Sequence, residues 1–284
     1  MEKNKINEVS DFKTVVITGS SRGLGYEMAK QFYLSGWNVV INGLNPDRLK
    51  SSLDNLRKLE SKSKIESFAG NVSTEKDIQG LVDFTVKTFQ KIDIWINNAG
   101  INQPPKLIWE LNEKEIDSIL NTNLKGVILG TKLATIQMQK QPNGGYIYNM
   151  EGLGSNDDMM LGYNIYGTSK RAVTHFTQAF AKELEEKKSN VKIGRLSPGI
   201  VITDFLSKPL GGERNPVNKS GRKLGIIIIS FKICFASFNP TTSSNFTSGL
   251  LSTISDNIFS LKSFVTIDLS SFFALEVLLL AALF

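Results

Sequence analysis

From residue 13 onward, short continuous apolar runs alternate with longer amphipathic stretches, and this alternation restricts the fold more than any other feature. Runs rich in β-branched residues occur at Thr14–Thr18, Asn38–Asn42, Ile65–Ala69, Ile92–Asn97, Tyr146–Met150 and Val191–Leu196. Stretches of helical length lie between them, including Leu24–Ser35, Thr74–Phe89, Glu113–Gln139 and Tyr166–Lys188. A strand covered on both faces reads as an unbroken apolar run, whereas a strand with one wet face alternates. Helices between such strands cover a parallel sheet on both sides, and right-handed crossovers wind the chain outward in two directions. The expected fold class is α/β, a single doubly wound, Rossmann-like parallel sheet with an atypical hydrophobic C-terminal segment.

That segment is set apart by composition. Residues 225–284 hold only Lys232 and Lys262 of the chain's 33 Lys and Arg, yet nine of its 17 phenylalanines. The expected organisation is a polar lead-in over residues 1–12, a dinucleotide-binding oxidoreductase domain over 13–224, and a low-charge tail over 225–284. Three readings of the tail stand side by side: a hydrophobic C-terminal subdomain, a weak membrane-associating tail, or an altered C-terminus produced by a frameshift or gene-model error. The apolar stretch Phe272–Phe284 carries Glu276 and falls short of the roughly 20 residues needed to cross a bilayer.

Charge and cysteine content exclude several function classes. The net charge is +6, but the lysines are dispersed along amphipathic segments such as Asp47–Lys64, as on a solvated helix face. No basic patch interleaved with aromatics is evident, so a nucleic-acid partner is not expected. Cys234 is the only cysteine, which rules out an internal disulfide and a cysteine-based metal site. His175 is the only histidine and sits within a helical stretch, where packing or surface exposure is the ordinary role. No metal is expected. The N-terminus shows neither a secretory signal nor an arginine-rich transit peptide, which suggests a cytoplasmic or organelle-stroma location.

The first apolar run leads directly into Gly19-Ser-Ser-Arg-Gly-Leu-Gly25 and then an amphipathic stretch. Glycines there allow a tight turn and close backbone approach, while the N-terminus of the following helix attracts pyrophosphate. Gly19, Ser21, Arg22, Gly23, Leu24 and Gly25 are therefore candidate cofactor residues. The second strand ends Ile41-Asn-Gly-Leu44, with no acid before Asp47. A carboxylate at that point would accept from a ribose 2′-OH and repel a 2′-phosphate, so its absence points to NADP(H). Arg22 or Arg48 would meet the 2′-phosphate, or else each is a solvated residue of a loop or first helical turn. Asn71 follows the third strand and either bonds the adenine edge or caps a turn. Asn98, Ala99 and Gly100 close the fourth strand with small and amide side chains beside the cofactor.

Tyr166-Gly-Thr-Ser-Lys170 opens the last long helical stretch. A spacing of four residues places phenol and ammonium on one helix face. A neighbouring ammonium favours the phenolate, so Tyr166 is expected to have a lowered pKa and to act as acid in carbonyl reduction and base in alcohol oxidation. Lys170 would also hydrogen-bond the nicotinamide ribose.

The set TGSSRGLG at Thr18–Gly25, NNAG at Asn97–Gly100, NTNLKG at Asn121–Gly126, YGTSK at Tyr166–Lys170 and SPG at Ser197–Gly199 resembles the short-chain dehydrogenase/reductase family over roughly residues 12–205. That resemblance implies a sheet of about seven strands and a homodimer or homotetramer. It implies a proton-relay role for Asn123 and nicotinamide contacts from Pro198, Gly199 and Thr203. The family's usual catalytic serine aligns with Gly152, and Ser155 is the nearest replacement, either polarising the carbonyl oxygen or serving as a loop residue. The string Asn149-Met-Glu-Gly-Leu-Gly-Ser155 is similar to the chlorophyll b reductase branch, whose members reduce the 7-formyl group with NADPH. A small-molecule carbonyl or alcohol is the expected substrate. The alternatives are a small-aldehyde or ketone reductase, a sugar- or steroid-type alcohol dehydrogenase, and a non-catalytic dinucleotide-binding protein, the last motivated by Gly152 and the unusual tail.

Overall fold

The computed structural model describes residues 12–156 and 159–198 in full. It also describes the backbone of 201–202, 227–228 and 232–235. Six parallel strands form the sheet: β1 (Thr14–Ile17), β2 (Asn38–Gly43), β3 (Ile65–Ala69), β4 (Ile94–Asn97), β5 (Gly145–Met150) and β6 (Val191–Ser197). Two short strands, β7 (Val201–Ile202) and β8 (Ile227–Ile228), pair with each other antiparallel. A further strand, β9 (Lys232–Phe235), joins the main sheet antiparallel to β6. The strand order is β3-β2-β1-β4-β5-β6-β9, which is the doubly wound arrangement expected. Winding reverses between β1 and β4, and a crevice opens beyond the carboxyl ends of strands at such a point.

Three of the helices begin where a side chain satisfies free N–H groups of the first turn. For α2 (Pro46–Arg57), the Asn45 side chain accepts from Arg48 N–H at 2.8 Å, and Pro46 occupies the first turn. For α3 (Glu75–Phe89), Thr74 accepts from Asp77 N–H at 3.4 Å. A reciprocal pair opens α4 (Glu113–Leu120): Glu115 N–H donates to Asn112 and Asn112 N–H to the Glu115 carboxylate. The stretch Glu113–Gln139 is not one helix. It divides into α4, a π-helical turn at Asn121–Lys125, and α5 (Gly126–Met138). The remaining helices are α1 (Gly23–Leu34) and α6 (Asn164–Glu186).

Alternate residues of each strand feed two apolar layers. Val15, Ile17, Val39, Ile41 and Ile96 pack with Met28 and Phe32 of α1 and Leu49 and Leu56 of α2. Val16, Val40, Trp95 and Ile147 pack with Leu81 of α3, Leu133 of α5 and Leu184 of α6. Burial on both faces explains why these strands read as continuous apolar runs. The membrane association expected of the tail is corrected: no helix among the described residues is long and apolar enough to cross a membrane, and Phe272–Phe284 lies outside them.

One polar ladder crosses the second layer. Trp95 Nε1 donates to Asn97 Oδ1 at 2.7 Å, Asn97 Nδ2 donates to Asn149 Oδ1 at 2.8 Å, and Asn149 Nδ2 donates to Thr177 Oγ1 at 2.9 Å. All of these groups are buried, so each bond matters less for its own strength than for the desolvated group that its loss would strand. Asn97→Ala should therefore destabilise the fold by about 2–4 kcal/mol, leaving the Trp95 indole without its partner and Asn149 Oδ1 with only the longer bond from Thr131 Oγ1. Urea unfolding measures this, and a loss within about 0.5 kcal/mol would mean the ladder is held by other groups.

Candidate active site

The turns after β1 and β4 are bolted together by side chains. Asn98 N–H and Ala99 N–H both donate to Thr18 Oγ1 at 3.0 Å. Asn98 Nδ2 donates to the carbonyls of Thr18 at 2.9 Å and Gly19 at 3.1 Å. Gly19 has φ +63°, and a Cβ there would lie 2.6 Å from the Ala99 Cα. A Cβ on Gly25 would come within 2.5 Å of Asn98 Nδ2 and 2.6 Å of the Gly19 carbonyl oxygen. Both positions are closed to any side chain, as a backbone cradle for a close-lying phosphate requires.

Around this cradle the residues expected to bind a cofactor occupy differing surroundings. Arg22 is exposed, precedes α1 and provides no side-chain cap, and the first turn of α1 holds no acid. Gly23 opens the helix at φ +60°, Leu24 packs partly on the core, and the Ser21 carbonyl accepts from Ser52 Oγ at 2.7 Å. Asn71 is occupied in a turn: its Oδ1 accepts from Ser73 N–H at 3.0 Å, while Leu44, Asn71, Asn121 and Thr122 line one shallow crevice. Ser20, absent from the expected set, is fully buried. Its Oγ donates to the Ile17 carbonyl at 2.6 Å and accepts from Asn42 N–H at 2.9 Å. Only the placement of short polar residues at two adjoining strand ends hints at this. At the end of β2, Asn42 Nδ2 donates to the carbonyls of Phe68 and Gly70, so the place where an acid would receive a ribose hydroxyl holds an amide already engaged by protein. The glycine cradle, the uncapped helix and the switch-point crevice fit a nicotinamide dinucleotide.

Tyr166 and Lys170 lie in the first part of α6, and both are buried, 6% and 4% exposed. Lys170 Nζ donates to the Met150 carbonyl at 3.1 Å and sits 5.9 Å from the Tyr166 ring centroid. Burial pulls the Lys170 pKa down to about 8, against an opposing pull from the Glu151 carboxylate. The expected lowering of the Tyr166 pKa is corrected: burial raises it, because desolvation of the phenolate prevails over the ammonium at this separation. Gly100 adjoins the pair, since a Cβ there would stand 3.4 Å from Asn123 Oδ1 and 3.9 Å from Lys170 Nζ.

Asn123 is fully buried in the π-helical turn. Its amide accepts from Ile101 N–H at 2.8 Å and donates to the Ile101 carbonyl at 2.9 Å, which locks the side chain in both directions. Single π turns of this kind often accompany functional sites. Gln103, which no motif marks, is also fully buried. Its amide accepts from Tyr166 N–H at 3.0 Å and donates to the Gly162 carbonyl at 2.7 Å, tying two loops to the start of α6.

Gly152 lies directly over the phenol. A Cβ there would be 2.5 Å from Tyr166 Oη, so a side chain at this position would require the phenol to shift. Ser155 folds back on it, accepting from Gly152 N–H at 2.9 Å, and the Ser155 carbonyl accepts from Arg171 at 3.1 Å. Pro198 is buried just beyond β6, while Gly199 and Thr203 lie outside the described residues.

Comparison with known proteins agrees with this architecture. Residues 13–211 match the family model described as short chain dehydrogenase. The chain is 37% identical over 194 residues to the chloroplastic chlorophyll(ide) b reductase NOL of Oryza sativa subsp. japonica, covering 68% of this chain and 57% of that protein. It is 31% identical over 194 residues to the (S)-acetoin-forming diacetyl reductase of Staphylococcus epidermidis, covering 68% of this chain and 73% of that protein. Among solved structures, NAD+-bound xylitol dehydrogenase superposes with a TM-score of 0.61 at 26% identity, over 66% of this chain and 70% of that one. The chain spans about half the length of the chlorophyll(ide) b reductases it matches, 57% of one and 42% of another. With its glycine cradle at the switch point and its buried Tyr166–Lys170 pair, the chain belongs to the short-chain dehydrogenase family.

Proposed function

We propose that the region 13–224 acts as an NADP(H)-dependent oxidoreductase on a carbonyl or alcohol, with Tyr166 as the proton donor in reduction and acceptor in oxidation. The observation that carries this reading is the burial of Tyr166 and Lys170 together beside Gly100, at the crevice where the glycine cradle opens. The dinucleotide supplies the hydride chemistry when bound. Gly19, Ser21, Arg22, Gly23, Leu24 and Gly25 would hold its phosphate end, with Asn71, Asn98, Ala99 and Gly100 along its length and Pro198, Gly199 and Thr203 at the nicotinamide.

The residues of the chain divide the remaining work. Tyr166 keeps its proton at neutral pH because burial raises its pKa, which suits an acid that releases the proton only as negative charge grows on the substrate oxygen. Lys170 steadies the phenolate left behind and bonds the nicotinamide ribose. Ser155 accepts from Gly152 N–H, and its own hydroxyl proton would polarise the carbonyl oxygen. Asn123 holds the relay that returns the proton to Tyr166. The end of β2 favours NADP(H) over NAD(H), since no carboxylate stands there and both Arg22 and Arg48 are exposed.

The finer substrate assignment is the 7-formyl group of chlorophyll b. It rests on the names of the similar plant reductases and on the exposed apolar side chains Leu153, Met159, Met160 and Leu161, which precede α6 and suit a broad apolar ligand. The chloroplastic names of those relatives favour an organelle-stroma location over a cytoplasmic one.

Turnover of chlorophyll b and of a small aldehyde, each with NADPH and with NADH, tests the assignment. NADPH should be preferred by about tenfold or more, the value of one charge-assisted contact to the 2′-phosphate. Turnover of the aldehyde alone would discard chlorophyll b and leave a small-carbonyl reductase. Cofactor binding without turnover of either would favour the non-catalytic reading. Tyr166→Phe should lower kcat/KM by about 10²–10⁴-fold with cofactor affinity retained; full activity would remove Tyr166 from the chemistry. Because Lys170 is charged below about pH 8 and neutral above it, the reduction rate should be level on the acid side and decline as pH rises through that value. A kcat/KM profile unchanged to about pH 10 would dissociate Lys170 from the rate.

A further inference from the structure

Glu151 is a buried acid that no step so far uses. It is 8% exposed and lies between Met150, whose carbonyl receives Lys170 Nζ, and Gly152, where a Cβ would stand 2.5 Å from Tyr166 Oη. Its Oε1 receives Arg195 Nη1 at 2.6 Å from β6 and Thr174 Oγ1 at 2.9 Å from α6. Thr174 stands one helical turn beyond Lys170 and also reaches the Lys170 carbonyl at 3.3 Å. Both side-chain bonds fall on the same oxygen, and the carboxylate is fixed between two elements that carry the site.

A carboxylate confined in this way carries a cost, because a buried ion pair is seldom more stabilising than apolar side chains of equal volume. Packing alone therefore gives no reason for it. The charged and titratable groups around Lys170 are Tyr166 and Arg171 on its own helix, Glu151 after β5, and Arg195 on β6 behind Glu151. Asn123 and Gly100 on the facing side bring no charge. Glu151 is thus the anion placed to offset the desolvation of Lys170.

We infer that Glu151, clamped by Arg195 and Thr174, is a positioning residue that keeps Lys170 protonated and aimed at the Tyr166 site. The inference rests on the proposed role of the Tyr166–Lys170 pair. The opposing effects already found at Lys170, burial favouring the neutral amine and Glu151 favouring the ammonium, have the sign it requires.

Glu151→Gln tests it, because the amide retains the size and the acceptor while the charge is lost. The alkaline limb of kcat/KM should move to lower pH by on the order of half to one unit, and Glu151→Asp should restore much of the original position. A purely structural Glu151 would lower activity at every pH without moving the limb, and that result would overturn the inference. A second measurement needs no turnover: the unfolding temperatures of wild type, Glu151→Gln, Lys170→Met and the double variant, without cofactor. Lys170 is charged near pH 7, so the two substitutions should be non-additive there. They should become additive near pH 10, where the amine is neutral. Equal coupling at both pH values would also overturn it. Absence of turnover in wild type would instead count against the oxidoreductase reading, while the coupling measurement still decides the role of Glu151.

Discussion

The contact on which the site depends is the bond of Thr18 Oγ1 to the two backbone N–H groups that follow β4. β1 and β4 are neighbours in the sheet but distant in sequence, and the chain leaves them in opposite directions. Without a fastening, the turns beyond them would be two independent loops above a crevice. Thr18 and Asn98 join them, and that junction presses Gly19 against Ala99 so closely that neither Gly19 nor Gly25 could carry a side chain. The cofactor cradle is therefore a product of strand adjacency. The glycine pattern is the sequence's response to that crowding.

Desolvation governs the other end of the crevice. The same burial raises the proton affinity of Tyr166 and lowers that of Lys170, since in each case the neutral form is favoured. The shifts bring a phenol that retains its proton next to an amine that is near its titration point. A pair like this responds strongly to a single added charge, because little bulk water remains to screen it. If Lys170 serves as proposed, where the neighbouring acid is placed, and what holds it, would bear on the chemistry.

What the residues revealed in advance follows from what each element is buried against. The six parallel strands were legible to within two residues because the inner strands β1, β2, β4 and β5 are buried on both faces, and β3 and β6 follow them in the same alternation of strand and helix. The interval Glu113–Gln139 misled for a related reason: its apolar spacing continues across Asn121–Lys125, and nothing local announces the π turn that carries Asn123 inward. β9 was hidden by composition, since Lys232–Phe235 lies in the low-charge stretch and pairs by backbone with β6 in the opposite sense. Of the site, the glycine turn, Tyr166 and Lys170 could be identified because their chemistry requires fixed spacing. Gln103 could not, as a buried amide in an irregular loop has no periodicity, and its role is visible only in the three segments it joins. Asn97 belonged to a recognised string, yet its side chain points into the polar ladder, away from the turn that the string describes.

Gly152 links these observations. With no side chain there, the Tyr166 phenol keeps its place, since a Cβ on Gly152 would stand 2.5 Å from Tyr166 Oη. Ser155 returns to the Gly152 N–H from three residues downstream. Glu151, one residue upstream, is held in the Arg195–Thr174 clamp. Under the proposed function, two nearby residues carry the polarity around the glycine: Ser155 would polarise the substrate oxygen, and the charge of Glu151 would support Lys170. On that reading, hydrogen bonding to the substrate and electrostatic support of Lys170 would be carried by separate residues.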